Sequence, residues 1–192
     1  MRDVIEEYGF VIFLVITGLL IMNGFIFMLK NVSGIGSVSN TETGVVNTID
    51  INGMTGKLLE SGELVIETGN TLYLSSLSNE EKEKIKVISF SDDVHISEFG
   101  ENAFSGMQNL KKVNIPKTVT KIDEHAFNGC SSLSRIYIPK TVNTIKANAF
   151  ETSNLGLVIN CEVTERQTGW SEDWNKYDSG QSTYETNFGI KQ

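Results

Sequence analysis

The 192-residue sequence predicts a membrane-spanning helix followed by a short, capped solenoid of α+β, mainly β, structure. Three observations carry this expectation. An uncharged apolar run lies near the amino terminus, the middle of the chain repeats itself every 23 residues, and the flanks of the repeat differ from it in composition. Composition excludes other classes. Two Cys build neither a disulfide framework nor a four-ligand zinc cluster. A net charge of −8, from 16 Lys and Arg against 24 Asp and Glu, argues against nucleic acid as a partner, because such a protein needs cations to replace phosphate counterions.

Residues 1–9 form a leader, MRDVIEEYG, with three acids against Arg2. Residues 10–29, FVIFLVITGLLIMNGFIFML, carry no charge over 20 residues. A helix of that length spans about 30 Å, the hydrocarbon thickness of a bilayer, so the chain is expected to be single-pass and held in the membrane by this segment. Cleavage as a signal peptide is the alternative, since Val32, Ser33 and Gly34 follow, but the run exceeds a signal core of roughly 7–15 residues. A pilin-like helix would present a Glu early in the run, and none occurs between Phe10 and Leu29. Arg2 and Lys30 are too evenly placed for the positive-inside rule to set orientation.

Residues 30–44 are rich in Ser, Gly, Asn and Thr and read as a flexible linker, with folded structure expected from Val45. Residues 45–84 are expected to form an amino-terminal cap. Glu63 to Glu67 and Thr71 to Leu74 read as strands covering the first coil. Ser78 and Glu81 have capping-box spacing at the start of a short, charged helix.

Residues 85–160 hold the repeat. Leu110 to Ser132 aligns with Leu133 to Leu155, IPKTV recurs at Ile115 to Val119 and Ile138 to Val142, and an Ala-Phe pair appears at 103–104, 126–127 and 149–150. Apolar alternation ending at a Pro predicts a short strand. A turn and an Ala-Phe corner then lead to the next coil. No single coil buries both strand and corner, so the coils must stack. Upstream, Ile85, Ile88 and Phe90 match Leu110, Val113 and Ile115 at an offset of 25, while Ile96 and Phe99 match Val119 and Ile122 at 23, which places a two-residue insertion near Asp92 and Asp93. Downstream, Phe150 to Leu155 is one residue short. Residues 161–192 form a carboxy-terminal cap and tail, with Trp170 and Trp174 at i and i+4 as a hydrophobic lid.

The run A-F-x-G-C-x-x-L-x-x-I-x-I-P-x-x-V, at Ala126 to Val142, resembles the BspA-like leucine-rich repeat of bacterial surface proteins. GELVIETG at 62–69, the helix of 78–85 and GWSEDWN at 169–175 are similar to flanking segments of such domains, so the resemblance covers residues 62 to 175. It implies a leucine-rich-repeat solenoid with a parallel sheet, in proteins that are mostly surface-exposed and include adhesins.

Candidate chemistry is sparse. Cys130 shares a slot with Met107 and reads as a buried thiol, and a pairing with Cys161 is left open by the sequence. His95 aligns with Thr118 and Thr141, and His125 with Asn102 and Asn148, both as exposed polar positions. No nucleophile motif, phosphate loop or metal set occurs, so neither an enzyme nor a cofactor is expected. The outward strand positions are more informative. They read Lys86, Val87, Ser89; Lys111, Lys112, Asn114; Ser134, Arg135, Tyr137; and Gly156, Leu157, Ile159. Residues 85–160 contain eight basic and seven acidic residues, so the acidity belongs to the flanks.

The expected binding face is therefore Lys86, Lys111, Lys112, Asn114, Arg135 and Tyr137, with cations to steer an acidic or mixed partner and Tyr137 as an aromatic anchor. The expected function is a membrane-anchored bacterial cell-surface protein whose extracellular repeats bind a protein or matrix ligand in adhesion. The alternative is a structural subunit of an envelope or conjugation-type assembly.

Overall fold

The computed structural model describes residues 44–51, 53–178 and 182–191. The leader, the expected membrane helix at 10–29 and nearly all of the linker lie outside the described residues. Among those described, no helix is long and apolar enough to cross a membrane.

The chain is a mainly β solenoid of about five turns. Three strands open it: β1 (Val45–Ile51), β2 (Met54–Leu59) and β3 (Glu63–Thr68), with β1, β2 and β3 pairing antiparallel in succession. From β3 onward every pairing along this sheet is parallel. β3 pairs with β5 (Val87–Phe90), and β5 with β7 (Lys112–Val113). β9 (Arg135–Ile138) pairs with β11 (Val158–Cys161), and β11 with β12 (Glu185–Phe188). The hydrogen-bonded ladder is interrupted between β7 and β9. Parallel pairing thus begins before residue 85 and continues beyond residue 160.

A second parallel sheet, ordered β10-β8-β6-β4, is built from two-residue strands: β4 (Thr71–Leu72), β6 (Glu98–Phe99), β8 (Lys121–Ile122) and β10 (Thr144–Ile145). Each coil contributes one strand to each sheet, and the turn between them explains the conserved spelling of IPKTV within the chain. The Val119 N–H donates to the Pro116 carbonyl at 3.0 Å, and Val142 N–H to Pro139 at 3.1 Å. Proline at the first position costs no bond there, because only its carbonyl is used.

The same turn closes one coil earlier, where Val94 N–H donates to the Ser91 carbonyl at 3.1 Å. Asp92 and Asp93 therefore occupy the ordinary turn positions of Lys117-Thr118. Thr120 N–H bonds the Ser97 carbonyl at 2.8 Å, so the 23-residue register has returned by Ser97 and the two extra residues lie between Ser91 and Ser97, where Val94 and Ile96 are both buried.

Inside, one aromatic column runs through the corners. Phe104 and Phe127 stack with centroids 4.7 Å apart, Phe127 and Phe150 at 5.0 Å, and Trp174 meets Phe150 edge-on at 6.1 Å. Trp170 continues the other sheet, bridging in parallel to Ile145, and its indole N–H donates to the Val142 carbonyl at 3.1 Å. The two Trp form a lid by each replacing a repeat position, with both rings buried. Tyr184 then closes the end, its hydroxyl donating to the Phe150 carbonyl at 2.8 Å.

That last bond completes a ladder across the corners. Cys130 Sγ donates to the Phe104 carbonyl at 3.3 Å, and Ser153 Oγ to the Phe127 carbonyl at 2.5 Å. Met107, Cys130 and Ser153 share one slot, all buried. Both cysteines are free thiols, which settles the open pairing. Burial pushes each up to about 12, far from the thiolate a reactive cysteine needs.

At the other end, the six-residue helix α1 (Asn79–Lys84) carries the expected capping box. Ser78 N–H donates to Glu81 Oε2 at 2.9 Å, while Glu81 N–H donates to Ser78 Oγ at 3.3 Å.

Candidate functional site

The site is the outward side of the first sheet, where strand register sets which side chains are neighbours. Across the strands one row reads Glu63, Val87, Lys112 on one half and Arg135, Val158, Glu185 on the other. The next outward row contains Val65 and Ser89, then Asn114, then Tyr137, Asn160 and Asn187. Lys86 and Lys111 sit just before their strands and are adjacent, with Lys111 N–H donating to the Lys86 carbonyl at 2.8 Å.

This register corrects the last coil. The shortened corner predicts Leu157 and Ile159 as outward, yet both are buried, and Val158 and Asn160 take those places. The cause is a turn at 154–157: Leu157 N–H bonds the Asn154 carbonyl at 2.9 Å, and Gly156 N–H bonds Asn154 Oδ1 at 2.8 Å. It turns Leu155 outward, at 73% exposure, and drops Leu157 into the core. The 23-residue offset from Arg135 to Val158 is kept, and holding to it would have found Asn160.

Of the six expected residues, Lys86, Lys111, Lys112, Asn114 and Arg135 are exposed and lie on this one surface. Tyr137 is half-buried, and its hydroxyl donates to the Ile190 carbonyl at 3.1 Å. Its polar tip therefore holds the carboxy-terminal segment, leaving ring surface for any ligand. Lys86 also differs from the others, because it lines a cleft of about 560 Å³ with Lys84, Glu60, Glu81 and Glu83.

Lys111, Lys112 and Arg135 remain. Among the described residues none of the three has an acidic side chain within ion-pair distance. Exposed flanking positions Gln108, Asn109, Ser131 and Ser134 are neutral. The second sheet is the internal comparison. There Lys121 Nζ lies 2.6 Å from Asp123 and 3.5 Å from Glu98, and Thr71 Oγ1 donates to Glu98 at 3.2 Å. The hydrogen bond to Asp123 raises the Lys121 pKa. Burial pushes the Asp123 carboxyl up, but the Lys121 and Glu124 hydrogen bonds outweigh it and hold the group below its ordinary value. The strand charges of the second sheet neutralise each other; on the first sheet Lys57 and Glu67 pair at the antiparallel end, while Lys111, Lys112 and Arg135 have no ion-pair partner among the described residues.

The histidines stand apart from this face. His95 is exposed. His125 takes a left-handed backbone with φ of 54°, as do Asn102 at 57° and Asn148 at 54°. That shared conformation, which favours Asn and His, is what the slot selects. His125 Nδ1 is 3.1 Å from Glu151 Oε2, without the alignment of a hydrogen bond. Among the described residues, no group of three or more His, Cys, Asp or Glu is placed to hold a metal ion.

Residues 68–168 match the BspA type leucine rich repeat region, in six copies. No curated protein matches the chain. Among solved structures it is similar to a leucine-rich repeat protein from Eubacterium ventriosum ATCC 27560, at 16% identity and a TM-score of 0.50. The match covers 77% of this chain and 44% of that one, so this chain spans less than half of that protein's length and the likeness is one of fold. A repeat match over more than half of the sequence, on coils that carry the repeat's turn, corner and strand in register, establishes that the chain belongs to the BspA-type leucine-rich repeat family.

Proposed function

We propose that this chain is a binding module, not an enzyme, held at the surface of a bacterial cell by the apolar segment 10–29, and that its first sheet captures an acidic protein or matrix ligand in adhesion. One observation carries the reading: Lys111, Lys112 and Arg135 are exposed together without ion-pair partners among the described residues, whereas the equivalent side of the second sheet is paired within itself. Unpaired cations on a rigid sheet steer an anionic partner and set its register at little reorganisation cost. The fold supports the same role, since stacked coils offer a continuous surface whose outward residues are free of packing duty.

The test compares capture of a panel of extracellular matrix proteins by the full chain and by the Lys112→Ala, Arg135→Ala, Tyr137→Ala triple variant. Capture by the wild type and a loss of about tenfold in the variant are expected, from two or three contacts of up to ~1 kcal/mol each. Equal capture by both chains would place the site elsewhere. Protease treatment of intact cells tests display: residues 45–192 should be removed, and protection of that segment under conditions that cleave other wall-embedded proteins would contradict an external location.

A further inference from the structure

The charge pattern of the basic face also limits what fits it and in which direction. Along the row that crosses the strands, Lys112 and Arg135 are flanked on each side by an uncharged Val and then by a carboxylate, Glu63 at one end and Glu185 at the other. Strands are spaced about 4.8 Å, so each Glu lies roughly 10 Å from the nearer cation of the row, close to the screening length of about 8 Å at physiological salt. Both acids are held in place. Ser89 Oγ donates to Glu63 Oε1 at 2.6 Å, and Asn187 Nδ2 donates to Glu185 Oε1 at 3.3 Å. A long polyanion laid along this row would therefore meet two cations and two anions in sequence, with Lys86 and Lys111 beside only one half of it.

Along the strands the pattern is different. The strand starts carry Lys111, Lys112 and Arg135, and the next outward row is uncharged: Ser89, Asn114, Tyr137, Asn160 and Asn187. That row offers amide groups and a half-buried aromatic ring, the mixture that suits a polypeptide backbone and neutral side chains. The interruption of the ladder falls between β7 and β9, between Lys112 and Arg135. Lys112 and Arg135 stand on the two strands where the ladder breaks, and like charges on neighbouring strands disfavour pairing. An anion seated between them would relieve that repulsion.

Resting on the reading of this face as the binding surface, we infer that its ligand is an acidic peptide segment running along the strands over the β7–β9 junction, with carboxylates on Lys111, Lys112 and Arg135 and uncharged residues on Asn114 and Tyr137. A sulfated glycan and a nucleic acid, as long polyanions, are the occupants that the flanking carboxylates disfavour.

The full chain is titrated with two probes. One is a labelled peptide of three glutamates followed by neutral polar residues, and the other is heparin as a long sulfated polymer. The wild type should bind the peptide more tightly than heparin, and a peptide with glutamine in place of glutamate should bind about tenfold more weakly. Lys112→Gln with Arg135→Gln should weaken the acidic peptide by about the same factor. Glu63→Gln with Glu185→Gln should leave the peptide unchanged and strengthen heparin several-fold. If heparin binds the wild type more tightly, depends on Lys112 and Arg135 and ignores Glu63 and Glu185, the peptide inference is overturned while the basic face stands. If the Lys112 and Arg135 replacements change neither probe, the face itself is wrong. Self-association of the wild type that those replacements abolish would replace the peptide by a second copy and overturn the inference too.

Discussion

Two residues in each of three successive coils bend the backbone into left-handed territory, and their side chains differ in how well they tolerate it. The first slot is Asn102, His125 and Asn148; the second, four residues later, is Gly106 at φ 76°, Gly129 at 72° and Thr152 at 51°. A β-branched residue there is strained, where glycine is not. Thr152→Gly should therefore leave stability within about 1 kcal/mol of the wild type, because the ~1–2 kcal/mol of left-handed strain it relieves is offset by the chain entropy of glycine and the lost hydrogen bond to Asn128. Urea denaturation checks it, and a larger loss of stability would mean that the Asn128 bond dominates. The cysteines supply a second contrast. Cys130→Ser should cost under about 1 kcal/mol, because Ser153 already makes the equivalent bond to a corner carbonyl one coil later. Cys161→Ser should cost about 1–3 kcal/mol, since Cys161 is buried and its thiol, unlike that of Cys130, makes no hydrogen bond to a corner carbonyl among the described residues for a hydroxyl to take over. The Met107-Cys130 equivalence made the first thiol legible from sequence. The left-handed slots of His125 and Thr152 carry a signal only through the repeat, where Asn102 and Asn148 flank the first and Gly106 and Gly129 precede the second; His and Thr by themselves do not mark them.

At the scale of elements, the short ones are held by named polar contacts more than by area. Helix α1 buries none of its six residues, so its box is its main local support. Ser78→Ala should destabilise it by about 1 kcal/mol, read as faster hydrogen exchange over residues 79–84. The Ser78 hydroxyl, then its backbone N–H, hold the Glu81 carboxyl below its ordinary value of 4.5. A folded pKa below the unfolded one means that this support is complete above about pH 5 and disappears as pH falls through the lowered value. Glu81→Gln should remove that part of the acid dependence, and an unchanged pH profile would show that the carboxylate contributes nothing. The helix was legible because its signal is four residues long and local. The last coil was not, because its register depends on whether the turn at 154–157 points Leu155 or Leu157 inward, a choice made by Asn154 and Gly156 bonding locally.

Over the whole molecule, each coil touches only its neighbours, and stability should vary along the axis accordingly. Trp174 ends the aromatic column and is 2% exposed. Trp174→Ala should cost about 3–5 kcal/mol locally. Hydrogen exchange should then rise over residues 158–191 while β3 and β5 keep their protection; equal loss in every coil would mean that the solenoid unfolds as one unit. The 23-residue repeat made the stacked fold and most of the outward face readable from sequence alone. Glu63 and Glu185 did not stand out, because they belong to strands outside the repeat and reach the row of Lys112 and Arg135 only through parallel pairing. Their placement turns a generally basic surface into a bounded one.

Hydrogen exchange of the full chain with and without the bound acidic peptide tests the basic face most directly. Protection is expected at residues 111–114 and 134–138, with none added at 120–123 or 143–145 on the paired second sheet. Protection confined to the second sheet or to the corners, with 111–114 and 134–138 unchanged, would contradict the assignment of the binding face.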